Sequence, residues 1–470
     1  MSKAAKGRLL ADGLRIAAWG FLGATVPYPA LAHAAERMVL QTLPTGYYIA
    51  GAAATVAITA LAAVLRGGLP GLSSHALFER PVLIPRAMTS WAGCLLLFAL
   101  IAVGMFGSHD PLGNLLPLTI WIVIWVGLTV ACALFGNIWQ DVNPWWGPVR
   151  WLRLRLGWQG RIGLSRWAFW PAVLGYLGFA WFEIVSLSPD DPAWLAAVVL
   201  GYWGVILALA VAEGEDWLDR GEFLTVYFGF IAKIAPLWAE RSDGRLRVMA
   251  GLPGTQVLKM APLPASGIAF VMLVLASVSF DGLAHTFWWL GQVGINPLEY
   301  PGRSAVMGTN SAGLLALWTM SAATILGAIT LGLRLNGSGD LRAWAGPLML
   351  AFLPIAAGYH IAHYLVALLT GGQYVIAALS DPLGRGWDVF GLGPHWVSFG
   401  FLTDRQGVRA IWNTQFAIIL GAHLLAVILS LRLSRQDGDE LSGLAHLPVT
   451  VLMVLYTSLG LWLLSTPTAG

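Results

Sequence analysis

The chain has 470 residues, of which 57% are hydrophobic and 11% are charged, and its mean hydropathy is +0.70. Because a soluble globular domain carries about 25% charged residues, this composition indicates a membrane protein. The net charge of +3 gives no support for a nucleic-acid partner, and no basic tract carries interleaved aromatics. The two cysteines, Cys94 and Cys132, form no CxxC or CxxCH motif, which excludes c-type haem and cysteine zinc sites.

The N-terminus is predicted to be a targeting segment. It contains four basic residues: Lys3, Lys6, Arg8 and Arg15. An apolar stretch follows and ends in small residues at 30–34, which is typical of a secretory signal with its cleavage site. The alternative is an uncleaved first transmembrane helix. Residues 1–34 are therefore set apart from a transmembrane bundle at 35–470. Cleavage after Ala32 would make His33 the first residue, whose amine and imidazole suit a copper ion.

Ten apolar stretches follow, each long enough to cross a bilayer as a helix of roughly 20 residues. They lie at 47–65, 88–107, 116–136, 167–187, 193–213, 265–285, 311–333, 347–370, 411–431 and 447–465. Lysine and arginine gather in alternate loops, as the positive-inside rule requires. The Arg-rich loops 137–166 and 214–264 are therefore cytoplasmic, and loops 286–310 and 371–410 are outer loops. The sequence predicts an all-α, polytopic transmembrane helix bundle of about ten mature spans in the bacterial inner (cytoplasmic) membrane.

The apolar segment 222–237 does not fit this count. If it crossed the bilayer, the basic stretch from Arg241 to Lys259 would lie outside. We therefore predict an interfacial or re-entrant helix on the cytoplasmic side.

Ionisable residues inside apolar spans are candidate functional residues, because a charge at membrane depth is costly. His360 in the eighth span and His423 in the ninth are predicted to lie roughly 15–18 Å below the outer surface, at about 1.5 Å per residue. At that depth the two could face each other. His363 shares a helix face with His360 by its i,i+3 spacing, and Asp281 and His285 form an i,i+4 pair at the outer end of the sixth span.

This set of side chains allows four interpretations. Imidazoles with Asp281 as ligand or orienting partner suit a transition-metal ion such as copper. His360 and His423, one from each of two helices, suit haem b. A His/Asp chain is also typical of a proton relay in a transporter. In the fourth interpretation both histidines are core residues that donate to backbone carbonyls.

A second polar set lies at the predicted cytoplasmic face. It consists of Asn137, Gln140, Asp141 and Asn143, and of Glu213, Glu215, Asp216 and Asp219 after the fifth span. Acidic residues at the inner mouth of a channel attract cations. A solvated helix end beside an Arg-rich loop needs no such role, so both interpretations stay open.

The longest outer loop, 371–410, is predicted to be a lid over the histidine-lined cavity. A loop of this length is usually functional or disordered, and its glycine- and aromatic-rich composition argues against disorder. The outer-face candidates are His33, His109, Asp381, Asp388 and His395. Glu183, near the outer end of the fourth span, is a lone acid without an assigned partner, and Asn310 is predicted to cap the seventh span.

Four stretches carry a resemblance to other proteins. They are Tyr359-His360-Ile361-Ala362-His363-Tyr364, then Gly372-Gln373 with Ser380-Asp381-Pro382-Leu383-Gly384-Arg385-Gly386-Trp387-Asp388, and Gly421-Ala422-His423. With them the chain resembles an uncharacterised family of bacterial multi-pass inner-membrane proteins over most of its length. It departs from the family pattern at Glu36-Arg37-Met38-Val39. The resemblance carries over no activity, substrate or catalytic residue.

Three classes of function follow. The first is a permease-type protein that moves a small solute or metal ion through the His/Asp site. The second is a membrane redox protein that uses haem b or copper and passes electrons to a periplasmic partner. The third is a structural or assembly subunit of a membrane complex. The sequence contains no nucleophile elbow, P-loop, dinucleotide fingerprint or HExxH motif, so it leans against an enzyme of the hydrolase, kinase or dehydrogenase type.

Overall fold

A computed structural model of the chain describes residues 45–66, 72–242, 244–299, 302–337, 339–393, 395–436, 439–466 and 468. The predicted targeting segment 1–34, with His33, lies outside these residues. In the described ranges, nine helices are long and apolar enough to cross a membrane. The chain is therefore a mostly helical protein with the composition and helix lengths of a multi-pass membrane protein.

The longer helices are, in chain order, α1 (Thr45–Arg66), α2 (Arg86–Phe106), α3 (Leu115–Phe135), α4 (Trp146–Leu156), α5 (Trp170–Ile184), α6 (Pro192–Glu213), α7 (Phe223–Ile231), α8 (Ala265–Ala284), α9 (Phe287–Gln292), α10 (Arg303–Leu335), α11 (Leu341–Leu350), α12 (Leu353–His363), α13 (Leu365–Ser380), α14 (Arg405–Leu433) and α15 (Leu447–Ser465). Four-residue helices lie at Trp139–Val142, Leu218–Gly221 and Gly400–Thr403. Within α3, the ten residues Thr119–Leu128 are π-helical.

Two predicted spans differ from the observed helices. The fourth, at 167–187, is the 15-residue helix α5, which is shorter than the roughly 20 residues that cross a bilayer. The eighth, at 347–370, is divided among α11, α12 and α13. Pro354 has no N–H, and its ring would clash with the carbonyl of Leu350 in a continuous helix, which favours the break between α11 and α12. The hydropathy of the sequence does not show such breaks.

The helix α10 begins earlier than predicted. It starts at Arg303 and shortens the predicted outer loop 286–310, which also contains α9. The prediction that Asn310 caps this helix is wrong, because Asn310 lies inside it. There its side-chain oxygen accepts a hydrogen bond of 2.9 Å from the indole of Trp289.

The apolar segment predicted as interfacial or re-entrant forms α7, which continues through the short turn Ala232–Ile234. Phe228 and Ile231 are fully buried, and the ring of Tyr227 packs against Trp125 and Tyr176. This segment is too short to cross a bilayer. It is embedded among the other helices, and this burial favours the re-entrant form over a helix at the surface.

A small antiparallel sheet lies in the predicted cytoplasmic loops and was not expected from the sequence. Its strands are β1 (Ser74–Pro81), β2 (Leu237–Ser242) and β3 (Arg245–Gly251), in the order β1-β3-β2. Phe78 lies opposite Val248, and Glu240 opposite Arg247. The strands are short and largely exposed, so they carry little hydropathy signal. A two-residue pairing, Arg435–Gln436 with Asp439–Glu440, forms a second small ladder.

The centre of the bundle consists of α8 and the α11–α12 pair. Buried residues make up 78% of the apolar window of α8 and 94% of that of α11–α12. The helix α14 packs closely on α12, since a Cβ added at Gly358 would lie 2.4 Å from Cβ of Ala422. Helices that are buried all round belong to the interior of a bundle, so polar side chains on α8 and α12 face protein more than lipid.

Candidate functional site

Four ionisable side chains meet at one end of the central helices, and we call them the acid–tyrosine cluster: Glu183, Asp281, His363 and Tyr364. Nε2 of His363 lies 2.8 Å from Oδ2 of Asp281. The phenolic oxygen of Tyr364 lies 2.8 Å from the same oxygen of Asp281 and 2.9 Å from Oε1 of Glu183. The cluster therefore joins α5, α8 and the junction between α12 and α13.

Local chain geometry places each member. Asp281 lies about one turn before the end of α8, and Glu183 lies in the last turn of α5. Tyr364 is the residue between α12 and α13, so its side chain is set by the end of one helix and the start of the next. Arg303 fixes the end of α5, because its guanidinium donates to the backbone carbonyls of Glu183 at 2.7 Å and Ser186 at 3.1 Å.

A glycine permits the close approach of α8 and α12 beside the cluster. A Cβ added at Gly282 would lie 2.8 Å from the hydroxyl of Tyr359 and 3.6 Å from Nδ1 of His363. The hydroxyl of Tyr359 is buried and has no hydrogen-bond partner among the described residues. Since buried polar groups are normally hydrogen-bonded, this hydroxyl is a free donor and acceptor next to the cluster.

Aromatic rings and His360 form the inner side of the cluster. His360 is fully buried, and its Nε2 lies 2.9 Å from the backbone carbonyl of Trp125, within the π-helical part of α3. The ring of His360 lies 4.8 Å from that of Tyr364, centroid to centroid. Nδ1 of His360 has no hydrogen-bond partner in the described parts of the chain. Stretches of π-helix are frequent at functional sites.

The structure separates His423 from this group. Gly358 is the α12 residue that contacts Ala422 of α14, and His360 lies two residues, or about 200°, further round α12. His360 therefore points to α3 and away from the helix that carries His423. Nδ1 of His423 lies 2.9 Å from the carbonyl of Ile419 in its own helix. The predicted arrangement, in which His360 and His423 face each other, is not what the structure shows.

The arrangement offers little to a metal ion. In the ranges that the structure describes, no group of three or more His, Cys, Asp or Glu side chains is placed to hold one. His285, at the end of α8, is close enough to Asp281 for an electrostatic interaction, but the hydrogen bond to this carboxylate comes from His363. A haem clamped between His360 and His423 does not fit, since the ring of His360 is bonded to α3, on the side of α12 away from α14.

The predicted cytoplasmic-mouth residues have structural partners. The carboxylate of Glu213 accepts hydrogen bonds of 2.6–3.0 Å from the amides of Gly163, Leu164 and Ser165 and from the hydroxyl of Ser165. These bonds tie the loop before α5 to the end of α6. They favour the structural interpretation of this acid over a role in attracting cations.

Asp141 and its neighbours also have structural partners. Asp141 forms an ion pair of 2.9 Å with Arg241 of β2. Burial raises the pKa of Asp141, and the charges of Arg241 and Arg86 oppose this shift. Asn137 accepts a hydrogen bond from the amide of Gln140 at 3.1 Å, so both residues belong to the turn after α3.

Both ends of the predicted lid have regular structure. Residues 371–380 continue α13, and residues 405–410 belong to α14. Between them, Asp381 accepts from the amides of Arg385 and Gly386, and Asp388 accepts from those of Leu392 and Gly393. These two acids therefore shape turns of the loop.

The remaining outer-face histidines do not join the cluster. His395 and His109 have exposed side chains. The amide of Gln373 on α13 donates to the carbonyl of Ser398 at 3.1 Å, and its oxygen accepts from the amide of Ser398 at 2.8 Å. This pair of bonds holds the loop on α13, and His395 is not turned into the bundle.

Sequence reasoning missed the partner of Glu183 and the role of Tyr364. Glu183 is recognisable in the sequence as an acid inside an apolar stretch, but no local pattern indicates its partner. Tyr364 is the last residue of the Tyr-His-Ile-Ala-His-Tyr stretch, and the stretch does not indicate its role. A tyrosine next to an intramembrane histidine is the signal that could have drawn attention to it.

Comparison of the chain with protein-family models, with curated proteins and with solved structures gives no match. The function is therefore argued from the geometry of the cluster.

Proposed function

We propose that this chain is a permease-type integral membrane protein that moves a small solute, with Asp281 and His363 at the outer end of the solute's path. The observation that carries the proposal is the hydrogen bond between these two side chains, which lie on the most buried helices of the bundle. Ionisable groups in such helices are costly, and they mark substrate or ion pathways in membrane proteins.

The partial exposure of the pair supports this role. The side chain of Asp281 is 15% exposed and that of His363 is 21% exposed, although their helices are otherwise buried. A solute can therefore approach the pair from one end of the bundle. An ionised carboxylate only accepts hydrogen bonds, so the site suits a small solute with N–H or O–H donors or with a positive charge.

A metal ion has less support as the transported species. Transition metals prefer several imidazole or thiolate ligands, and here the hydrogen bond to Asp281 involves the single imidazole of His363. We therefore favour the small-solute form of the permease hypothesis over the metal-ion form.

Polar atoms continue from the cluster toward the other end of the bundle. Below His360, the hydroxyl of Tyr227 lies 3.4 Å from that of Thr129. At the start of α7, the carboxylate of Glu222 caps the helix by accepting from the amides of Leu224 and Thr225, and it also accepts from the hydroxyls of Tyr202 and Thr225 at 2.5 and 2.6 Å. These groups supply hydrogen-bonding partners at successive depths, as a path for a polar solute requires.

We interpret the structure as a closed form of the proposed path. Two cavities of about 10 Å³ each lie in the bundle, one beside α7, α8 and α12 and the other beside α1, α14 and α15. A cavity of this size holds about one water molecule. Movement of a solute therefore requires the helices to separate at one end at a time, as in alternating access.

A solute panel tests the proposal. The purified protein is heated with methylammonium, tetramethylammonium, acetate or Zn²⁺, and any compound that raises its melting temperature is then offered to proteoliposomes. We expect a cationic member of the panel to stabilise and enter with the wild type but not with Asp281→Asn. The matched control is Tyr456→Phe, which removes a partly buried hydroxyl bonded to Ser279 at 2.8 Å outside the cluster. Equal uptake by Asp281→Asn, or none by the wild type, would overturn the proposal.

The redox alternative has weaker support. Each of His360 and His423 has one ring nitrogen bonded to a carbonyl and the other without a partner among the described residues, as in many metal-binding histidines. The direction of His360, away from the helix that carries His423, argues against a shared haem. An absorption spectrum and metal analysis of the purified protein decide this point: a Soret band that His360→Ala removes would favour the redox protein. Neither the Asp281–His363 pair nor the partly bonded rings of His360 and His423 supports the third hypothesis, an assembly subunit.

A further inference from the structure

Tyr364 lies between two carboxylates. Its single phenolic oxygen is within hydrogen-bond distance of Oε1 of Glu183 at 2.9 Å and of Oδ2 of Asp281 at 2.8 Å. A phenol carries one proton, so it can donate to only one of the two acids. An ionised carboxylate has no proton to donate. If both acids were ionised, one of these two contacts would place the phenolic oxygen against a carboxylate oxygen with no hydrogen atom between them. The lone pairs of the two oxygens would then repel each other.

The geometry therefore requires one more proton on the two acids. Asp281 is the better place for the negative charge, because its Oδ2 is approached both by Tyr364 and by Nε2 of His363. Hydrogen bonds to an ionised acceptor are about twice as strong as neutral ones. The additional proton then belongs to Glu183, whose O–H donates to the phenolic oxygen, while the phenolic O–H donates to Asp281.

We propose that the acid–tyrosine cluster is a proton-binding site in which one proton is exchanged between Glu183 and Asp281 through Tyr364. In the exchange the O–H bond of Glu183 breaks as a new O–H bond forms on Tyr364. The original phenolic O–H bond breaks as one forms on Asp281. One proton enters the phenol and one leaves it, so the charge moves from Asp281 to Glu183 and no side chain has to turn.

Other titratable groups surround the site and bias this exchange. They are Tyr176 of α5, Tyr227 of α7, His285 of α8, Arg303 of α10, and Tyr359, His360 and His363 of α12. Arg303 and His363 are placed at opposite ends of the chain of hydrogen bonds. A positive charge at Arg303 favours ionised Glu183, whereas the bond from His363 favours ionised Asp281. The two states are therefore balanced from both sides.

The coupling of the proton to solute movement rests on the proposed function, whereas the proton site itself does not. If Asp281 binds a cationic solute, the solute replaces the phenolic hydrogen bond to Asp281. It thereby favours the state in which Asp281 is ionised. Release of the proton from Glu183 then accompanies solute movement, and H⁺ is the coupling ion. The presence of the proton itself can be tested without any knowledge of the solute.

Infrared spectroscopy of the purified full-length protein tests the proton. A protonated carboxylic acid has a C=O stretch that a carboxylate lacks. We expect such a band at neutral pH, and we expect it to shift when the protein is labelled with ¹³C-glutamate but not with ¹³C-aspartate. Glu183→Gln should remove the band, and Tyr456→Phe, which removes a hydroxyl bonded to Ser279 at 2.8 Å, should leave it unchanged. Absence of the band from the wild type, or its persistence in Glu183→Gln, would overturn the proposal. The isotope comparison needs no substitution, so it stands even if the variant does not fold.

A second experiment tests the coupling. Proteoliposomes with an internal pH-sensitive dye are given methylammonium or tetramethylammonium on one side, and proton movement is followed. We expect solute-driven proton movement with the wild type and its loss in Glu183→Gln, with solute binding retained. An infrared band together with solute uptake that moves no protons would refute the coupling but keep the permease. A band without any solute uptake would refute the permease but keep the proton site.

Discussion

Glu183 and Tyr364 are 181 positions apart in the chain, and their side chains meet in a hydrogen bond of 2.9 Å. Through Asp281, the same phenolic oxygen also reaches the central helix α8. One hydroxyl group thus connects three separate parts of the bundle. Removing or altering it tests both the stability of the bundle and the chemistry of the cluster.

Tyr364→Phe should lower the free energy of unfolding by about 1–3 kcal/mol, because it leaves a buried acceptor without its donor. The matched control is Tyr456→Phe. Tyr456 bonds to the hydroxyl of Ser279 at 2.8 Å, a neutral partner, so its loss should cost only about 1 kcal/mol. Unfolding of both variants in detergent gives the comparison. An effect at Tyr364 no larger than at Tyr456 would contradict the interpretation of Tyr364 as a donor to a charged group.

Gly358→Ala should destabilise the contact between α12 and α14. The new Cβ would lie 2.4 Å from Cβ of Ala422, and overpacking of this kind costs about 1–3 kcal/mol. Adding Ala422→Gly should restore part of the loss, since it removes the opposing methyl group. Gly308→Ala is the control, because no heavy atom lies within 4 Å of its added Cβ. A double variant no more stable than Gly358→Ala in thermal unfolding would show that this contact is not the cause.

Glu213→Gln should loosen the loop before α5 and leave solute binding unchanged. A glutamine keeps one acceptor oxygen but places an NH₂ group against the amides of Gly163, Leu164 and Ser165. We expect faster amide hydrogen exchange at these residues. Glu215→Gln is the control, since its ion pair with Arg153 is long, at 3.9 Å. If Glu213→Gln changes uptake as strongly as Asp281→Asn does, this acid belongs to the path after all.

Acid should loosen the turn that follows Asp388. The amides of Leu392 and Gly393, which donate to this carboxylate, hold its pKa below the ordinary value of 3.8. A lowered pKa in the folded state means that the stabilisation is complete above pH 3.8 and is lost as the pH falls through the folded pKa. Hydrogen exchange at Leu392 should therefore accelerate below this pH, after correction for intrinsic rates. The amide of Ser398, held by the neutral Gln373, is the internal control. A parallel change at both amides would indicate general unfolding of the loop.

Much of the helical architecture could be predicted because hydropathy is a local property. The predicted spans 193–213 and 265–285 correspond closely to Pro192–Glu213 and Ala265–Ala284. The sheet was missed, because its pairing of β1 with β3 joins two distant loops. The division of 347–370 was missed because Pro354 interrupts a helix without lowering its hydropathy.

The candidate site could be predicted only in part. The helical repeat and the cost of buried charge selected Asp281 and His363, which the structure brings together. The same depth argument also paired His360 with His423. Depth alone does not fix the direction of a side chain around its helix, and the contact between Gly358 and Ala422 turns His360 the other way.

The sequence by itself determined that the chain is a mostly helical membrane protein and which of its apolar helices carry ionisable groups. These properties depend on residue type and on spacing within one helix. Only the tertiary structure decided that Glu183, Tyr364 and Asp281 share hydrogen bonds. Such contacts depend on how helices far apart in the chain rotate and pack against one another, and no local pattern records that rotation.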